Sequence, residues 1–394
     1  MSAPRLPHRS LAGVGLVLLA ACGSGTTAPG GGPPTDVNVM VAIAAGYSHT
    51  CGLASTGAAY CWGANGGALG DSSYMNSSIP VAVSRGLRFS ALAAGGGFTC
   101  GLTSAGRAYC WGNNTSGQLG NYPPSDNLGI PTPVLVSGGL RFTTLAAGAA
   151  HACGLTSAGA AYCWGLDLFG ELGSSPLTGN FSSTPQAVSG GWSFVALTAG
   201  VYHTCGLTSL GAAYCWGDNE TSQLGNGSTG FSTDTTPVAV SGGLTFSALA
   251  AGSWHTCGLA VSGAAYCWGS NYGGQLGTGS TTDSSIPVAV SGGLTFSAVA
   301  AGGDHTCGLT SAGTAYCWGV NNSGQLGDGS ITSSSTPVAV SGVLTFSTLV
   351  AGLDHTCGLT STKATYCWGD NQFGQLGNGS TTNSSVPVAV VGWP

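Results

Sequence analysis

Apolar residues along this chain come in short runs separated by clusters of Gly, Ser and Asn, and the arrangement returns again and again. One unit reads LTFSAVAAGGDHTCGLTSAGTAYCWGVNNSGQLGDGSITSSSTPVAV, residues 294–340. It predicts four short strands, FSAVAAG, HTCGLT, TAYCW and PVAV, each bounded by turn-forming residues. No long amphipathic helical pattern appears. Aligned on the CWG triplet, the chain holds seven such units, with steps of 49, 53, 52, 52, 50 and 50 residues. A period of this length means stacked or radially arranged supersecondary units, because one small sheet cannot bury both of its faces alone. Four antiparallel strands repeated seven times predict an all-β fold, a seven-bladed β-propeller.

The cysteines sharpen the picture. Fourteen of the fifteen fall in pairs ten positions apart: Cys51 with Cys61, Cys100 with Cys110, Cys153 with Cys163, Cys205 with Cys215, Cys257 with Cys267, Cys307 with Cys317, and Cys357 with Cys367. If Ser311-Ala312-Gly313 is a three-residue hairpin loop ending on a left-handed glycine, Thr310 faces Thr314, Gly308 faces Tyr316 and Cys307 faces Cys317. The cysteines then occupy a non-hydrogen-bonded pair, where Cα atoms lie about 4.5 Å apart, within disulfide reach. One disulfide is therefore expected inside the hairpin of every blade. Glycine holds the turn position in six units and Lys363 in the seventh, so a different or strained turn is expected there. The same register puts His305, Cys307, Leu309 and Cys317 on one face and Thr306, Gly308, Tyr316 and Trp318 on the other, with room beside Gly308 for the Tyr316 ring.

The fifteenth cysteine has a different setting. Arg5, His8 and Arg9 lead into the apolar stretch 10–21, too short for a stable membrane anchor, which ends in Leu19-Ala20-Ala21-Cys22. This resembles the bacterial lipobox, in which the cysteine is lipidated and becomes the first mature residue. The expected organisation is a lipoprotein signal peptide over 1–21, a flexible Gly/Pro-rich tether over 22–36 and the propeller over 37–394. The expected location is the outer membrane or cell surface of a bacterium, with membrane contact through the lipid only.

Composition narrows the function classes. Only 5% of the residues are charged, against about 25% in ordinary globular proteins, so solubility rests on uncharged polar groups. Without the leader, five basic side chains face thirteen acidic ones, a net charge of −8. Arg85, Arg88, Arg107, Arg141 and Lys363 form no cluster in sequence, and nucleic acid is not an expected partner.

Two runs carry a family resemblance. Ala301 to Leu309 (AGGDHTCGL) and Tyr316 to Gly327 (YCWGVNNSGQLG) resemble the repeat of the regulator-of-chromosome-condensation family, and all seven units over about 38–394 share it. The resemblance implies a seven-bladed propeller. It also implies a blade frame shifted from the repeat frame, so that Pro387-Val388-Ala389-Val390 would join the sheet of the first unit and close the ring by strand exchange. The eukaryotic founder of the family is a nucleotide-exchange factor for a small GTPase on chromatin, and secreted bacterial members include protein inhibitors of β-lactamase. The lipobox, the acidic balance and the cysteine pairs depart from the founder, so exchange activity is not carried over.

Candidate chemistry then divides by regularity. His305, Cys307 and Cys317 could offer three metal ligands, but export to an oxidising compartment favours disulfides and no fourth ligand recurs. No metal or cofactor is expected. Histidine recurs at 49, 151, 203, 255, 305 and 355, with Phe98 in the remaining unit. A catalytic residue is needed once, so these read as structural and no catalytic residue is assigned, although Asp304-His305 and Asp354-His355 could form acid/base pairs. The tryptophans of CWG are too regular for a ligand site, and turns such as Asp328-Gly329-Ser330 lack the spaced carboxylates of a calcium loop.

Function is expected where the copies differ, just before the shared histidine: Tyr47, Phe98, Tyr202, Trp254, Asp304 and Asp354, a candidate ring for binding a partner around the channel. Loops before PVAV add Tyr74 and Met75, Tyr122 to Asp126, Leu177 to Phe181, and Phe231 to Asp234. The expected protein is a monomeric binding or scaffold module for a protein partner. A carbohydrate-binding or structural propeller stays open as the alternative, and an enzyme with a site at the channel as a further one.

Overall fold

The computed structural model describes residues 38–121, 129–174, 179–230 and 232–393. The signal peptide, the tether, Cys22, Tyr122 to Asp126, Leu177 and Phe231 lie outside these. Among the described residues the chain forms seven four-stranded antiparallel sheets, each built from four consecutive strands. Blade 1 comprises Met40–Ala45, His49–Ala54, Ala59–Gly63 and Ser77–Ala82, and blades 2 to 7 begin at Ala91, Thr144, Phe194, Phe246, Ala298 and Phe346. The first strands meet around a central channel and the fourth strands form the outer rim.

The blade frame is the repeat frame. Ser384–Ala389, the last strand, pairs with Thr365–Gly369 of its own blade, and Met40–Ala45 pairs with His49–Ala54. Among the described residues the expected strand exchange between the chain ends does not occur. Side chains, together with main-chain bonds from Leu353 N–H to the Tyr47 carbonyl (3.2 Å) and from Gly379 N–H to the Ser78 carbonyl (2.9 Å), close the ring instead. In six blades a phenylalanine just before or at the start of the first strand packs beside the CWG tryptophan, as Phe296 does with Trp318, ring centroids 5.8 Å apart. Blade 1 carries Met40 at the equivalent position. The space beside Gly52 is filled jointly by Met40 and Trp393, and Trp393 also meets Tyr60 edge to face at 5.0 Å and donates from Nε1 to the Asn38 carbonyl.

The hairpin register is the expected one. Cys307 faces Cys317 and Gly308 faces Tyr316, and seven disulfides span Cα separations of 4.0 to 4.1 Å, all fourteen cysteines being fully buried. The space over Gly308 is taken by the Phe296 ring rather than by Tyr316: the phenylalanine enters from the innermost strand and reaches the glycine first. Lys363 keeps the turn of its glycine counterparts, with its N–H 3.0 Å from the Thr360 carbonyl and φ of 69°. A side chain in that region costs about 1–2 kcal/mol, whereas glycine costs about 0.5–1 kcal/mol in unfolded-chain entropy. Lys363→Gly is therefore expected to stabilise the fold by about 0.5–1 kcal/mol in urea unfolding; a variant less stable than the parent would refute this turn assignment.

Candidate functional site

Blades meet through a repeated polar joint. In each of six blades the histidine Nε2 approaches the threonine hydroxyl of the next blade, as His305 does Thr356 at 2.8 Å and His355 does Thr50 at 2.9 Å across the ring closure. The Thr356 hydroxyl donates to the Gln325 carbonyl (2.9 Å), which also accepts Trp368 Nε1 at 3.0 Å. With its proton committed there, the hydroxyl must accept from the histidine, which fixes the Nε2–H tautomer. All six rings are fully buried, and burial lowers their pKa to about 3 or 4. They are neutral joints, consistent with the structural reading of the repeated histidines. The Ala-Gly before each histidine follows from this geometry: a Cβ at Gly302 would collide with the His305 ring and the Gly352 carbonyl.

One joint is apolar. Phe98 replaces the histidine of blade 2, and Ala152 replaces the threonine of blade 3 that would have met it; both are buried in one hydrophobic cluster. Removing both partners together leaves no orphan group, which makes such a change cheap. Phe98 is thus a core residue, which corrects its expected place in an exposed binding ring.

The turns between first and second strands, and the loops between third and fourth strands, emerge on one face of the disc. Small residues wall the channel there: Ala45, Ala94, Ala147, Ala199, Ala251, Ala301 and Ala351, each followed by glycine. Tyr47 sits at this mouth with Val201, Ser253 and Leu353, its hydroxyl buried without a partner and its pKa raised by burial and by Tyr202. The residue immediately before the histidine lies further out. Tyr202 and Trp254 are half-buried and adjacent, centroids 5.5 Å apart, and Phe169 meets Tyr202 edge to face at 5.0 Å. Asp304 and Asp354 follow on the next two blades and accept from the Gln275 and Gln325 amides at 3.5 and 3.2 Å. Burial pushes both carboxyls above the usual range, opposed at Asp304 by a hydrogen bond from Tyr272.

Four of the six expected residues therefore share one arc, Tyr47 turns into the channel mouth, and Phe98 is buried. Tyr74, with its hydroxyl 2.9 Å from the Gly129 carbonyl, and Met75 are exposed in a third-to-fourth-strand loop, and Phe181 is exposed at the start of the fourth strand of blade 3. Phe169, Glu171 and Tyr272 were not anticipated. They lie in the loop ending in Q-L-G, whose other positions are scaffold: Asn321 Oδ1 accepts the Leu326 N–H at 2.9 Å, and its amide donates to the Ser330 and Thr332 carbonyls. Blade 3 departs from this scaffold by carrying Asp167 where the other blades have Asn, and Glu171 where blades 2 and 4 to 7 have Gln and blade 1 has Ala68. Glu171 is fully buried; Oε2 accepts the Phe169 N–H at 2.8 Å and Oε1 has no partner. Burial, then the charges of Asp167 and Asp218, push its carboxyl up to about 7.

Comparison with known proteins agrees with this architecture. The family model described as RCC1-like domain matches residues 14–292, and the Regulator of chromosome condensation (RCC1) repeat matches 296–325, 312–359, 346–375 and 364–393. The Ultraviolet-B receptor UVR8 of Arabidopsis thaliana is 31% identical over 252 residues, 63% of this chain and 57% of the receptor. The probable E3 ubiquitin-protein ligase HERC4 of Rattus norvegicus is 33% identical over 178 residues, 43% of this chain but 16% of the ligase. The chain thus spans about half of the receptor and a small part of the ligase. Among solved structures, human WBSCR16 superposes with a TM-score of 0.73 at 22% identity, covering 80% of this chain and 85% of that one. Yeast RCC1 (Prp20) bound to Kap60 superposes with a TM-score of 0.72 at 19% identity, covering 95% and 91%. With family matches extending through all seven blades, this chain belongs to the RCC1-like propeller family.

Proposed function

We propose that this protein is an exported, lipid-anchored, monomeric propeller that binds a protein partner at the bacterial cell envelope. The observation that carries the binding reading is the row Phe169, Tyr202 and Trp254, partly exposed where the repeats differ, beside a channel walled by alanine and glycine. Exposed aromatics are the side chains most enriched at interface centres. Relatives support it: Prp20p of Saccharomyces cerevisiae has been characterised for binding to Gsp1p and histones, and was solved bound to Kap60. The lipobox at Cys22 supports the anchor.

Affinity for a partner isolated with the oxidised, full-length chain should fall at least tenfold in Tyr202→Ala and Trp254→Ala, measured by calorimetry; unchanged affinity would refute binding through this face. Incorporation of labelled palmitate that persists in Cys22→Ser would refute the anchor.

A further inference from the structure

Charge on this disc is sorted by face. All eleven described acidic residues lie in the first-to-second-strand turns and third-to-fourth-strand loops, or on strand residues that abut them. All five described basic residues lie at the opposite end of the strands: Arg107 and Lys363 in second-to-third-strand hairpins, and Arg85, Arg88 and Arg141 in connections between blades. Four of the five gather under blades 1 to 3, a grouping that their spacing in sequence hides. Their side-chain partners are uncharged, as with Arg85 to Thr132 at 3.1 Å and Arg88 to Thr56 at 3.4 Å. The second and third strands, five or six residues long in every blade, hold the faces about 20 Å apart, more than two Debye lengths of about 8 Å at physiological salt. Neither face therefore neutralises the other.

The acidic face has a second property that points to a cation. In blades 5 and 6 the Gln275 and Gln325 amides supply N–H donors to the carboxylates beside them. Blade 3 puts Glu171 at that position, so the site beside Phe169 and Tyr202 contains a buried carboxylate oxygen with no donor. Tyr272, 63% exposed, stands beside Asp304 at the other end of the aromatic arc. Aromatic faces next to carboxylates suit guanidinium groups, which stack on the ring and pair with the acid at once.

We propose that the acidic, aromatic face of blades 3 to 7 docks an arginine-rich segment of the partner protein, its guanidinium groups stacking on Tyr202, Trp254 and Tyr272 and pairing with Asp304 and Asp354. This rests on the reading of the protein as a protein-binding module. Complementary potentials of this kind steer encounter and select partners.

The test uses the oxidised, full-length protein and a fluorescein-labelled peptide of alternating arginine and serine, with a glutamate and serine peptide as control, followed by anisotropy. The arginine peptide should bind saturably, at least tenfold more weakly in 300 mM than in 50 mM salt, and the control should not bind. Trp254→Ala and Tyr202→Ala should each weaken binding at least fivefold and the near-isosteric pair Asp304→Asn with Asp354→Asn at least tenfold, while Arg88→Glu with Arg141→Glu leaves it unchanged. Absence of binding, or binding that survives the aromatic and Asp→Asn variants, overturns the proposal. So does salt-sensitive self-association in sedimentation that is lost in both the Asp→Asn and the Arg→Glu pairs, since the face would then take a second copy. A protein partner whose affinity ignores these acidic-face changes but falls with the Arg→Glu pair would overturn this proposal and leave the protein-binding reading standing.

Discussion

Acidification from pH 6.5 towards 4 should unfold the oxidised propeller over a narrow interval. Six histidines are neutral in the fold, with pKa values lowered to about 3 or 4 by burial, but they titrate near 6.5 in the unfolded chain. Because the folded values are depressed, the stabilisation is fully present above pH 6.5 and is lost as the unfolded chain takes up protons that the folded one refuses. Each group contributes a limiting slope of about 1.4 kcal/mol per pH unit, so the six together approach roughly 8 kcal/mol per pH unit. Glu171, with its carboxyl pushed up to about 7, takes up its proton first in the folded state and offsets about one such slope. The raised carboxyls of Asp167, Asp304 and Asp354 oppose the loss near the low end of the window. Urea midpoints at pH 7.5, 6.5, 5.5 and 4.5 would check this: a midpoint that holds from 7 to 5 would mean the histidines are accessible to protons.

Reduction should fail on the native protein and be decisive on the unfolded one. Every paired cysteine is fully buried, so a thiolate reductant has no line of attack until a blade opens. Each bridge closes a loop of about eleven residues and contributes roughly 2–3 kcal/mol in the chain-entropy model. Seven together amount to roughly 15–20 kcal/mol, as large as the whole stability of a typical domain, about 5–15 kcal/mol. Dithiothreitol at pH 8 without denaturant should leave the fourteen cysteines unlabelled by a maleimide, counted by mass; with urea all should label, and the reduced chain should not refold. Gradual labelling in native buffer would overturn the picture.

What was legible in the sequence followed from constraints repeated seven times. The glycine that ends the hairpin loop set the register, and the register set the cysteine pairs. The blade frame was not legible, because a cyclic shift of a repeated unit leaves the pattern unchanged; only Met40 and Trp393, which break it, mark where the blades begin and end. The place of Phe98 was written in two columns at once: the unit without histidine is followed by the unit that reads His-Ala-Cys instead of His-Thr-Cys or Phe-Thr-Cys. Phe169, Glu171 and Tyr272 were masked by their loop, whose glycines, asparagine and leucine repeat so regularly that the variable positions between them read as part of the scaffold. The sorting of charge needed strand directions before any face could be assigned.

Because among the described residues no strand is shared between blades, every sheet there is built from one stretch of chain. The order of the blades along the polypeptide is then a matter of where the circle happens to be cut. Joining the present ends and opening the chain at another connection between blades would divide no hydrogen-bonded ladder, provided that Trp393 keeps its place over Gly52. This architecture is therefore open to circular permutation at each blade boundary, and to the gain or loss of a blade by duplication or deletion of one contiguous segment.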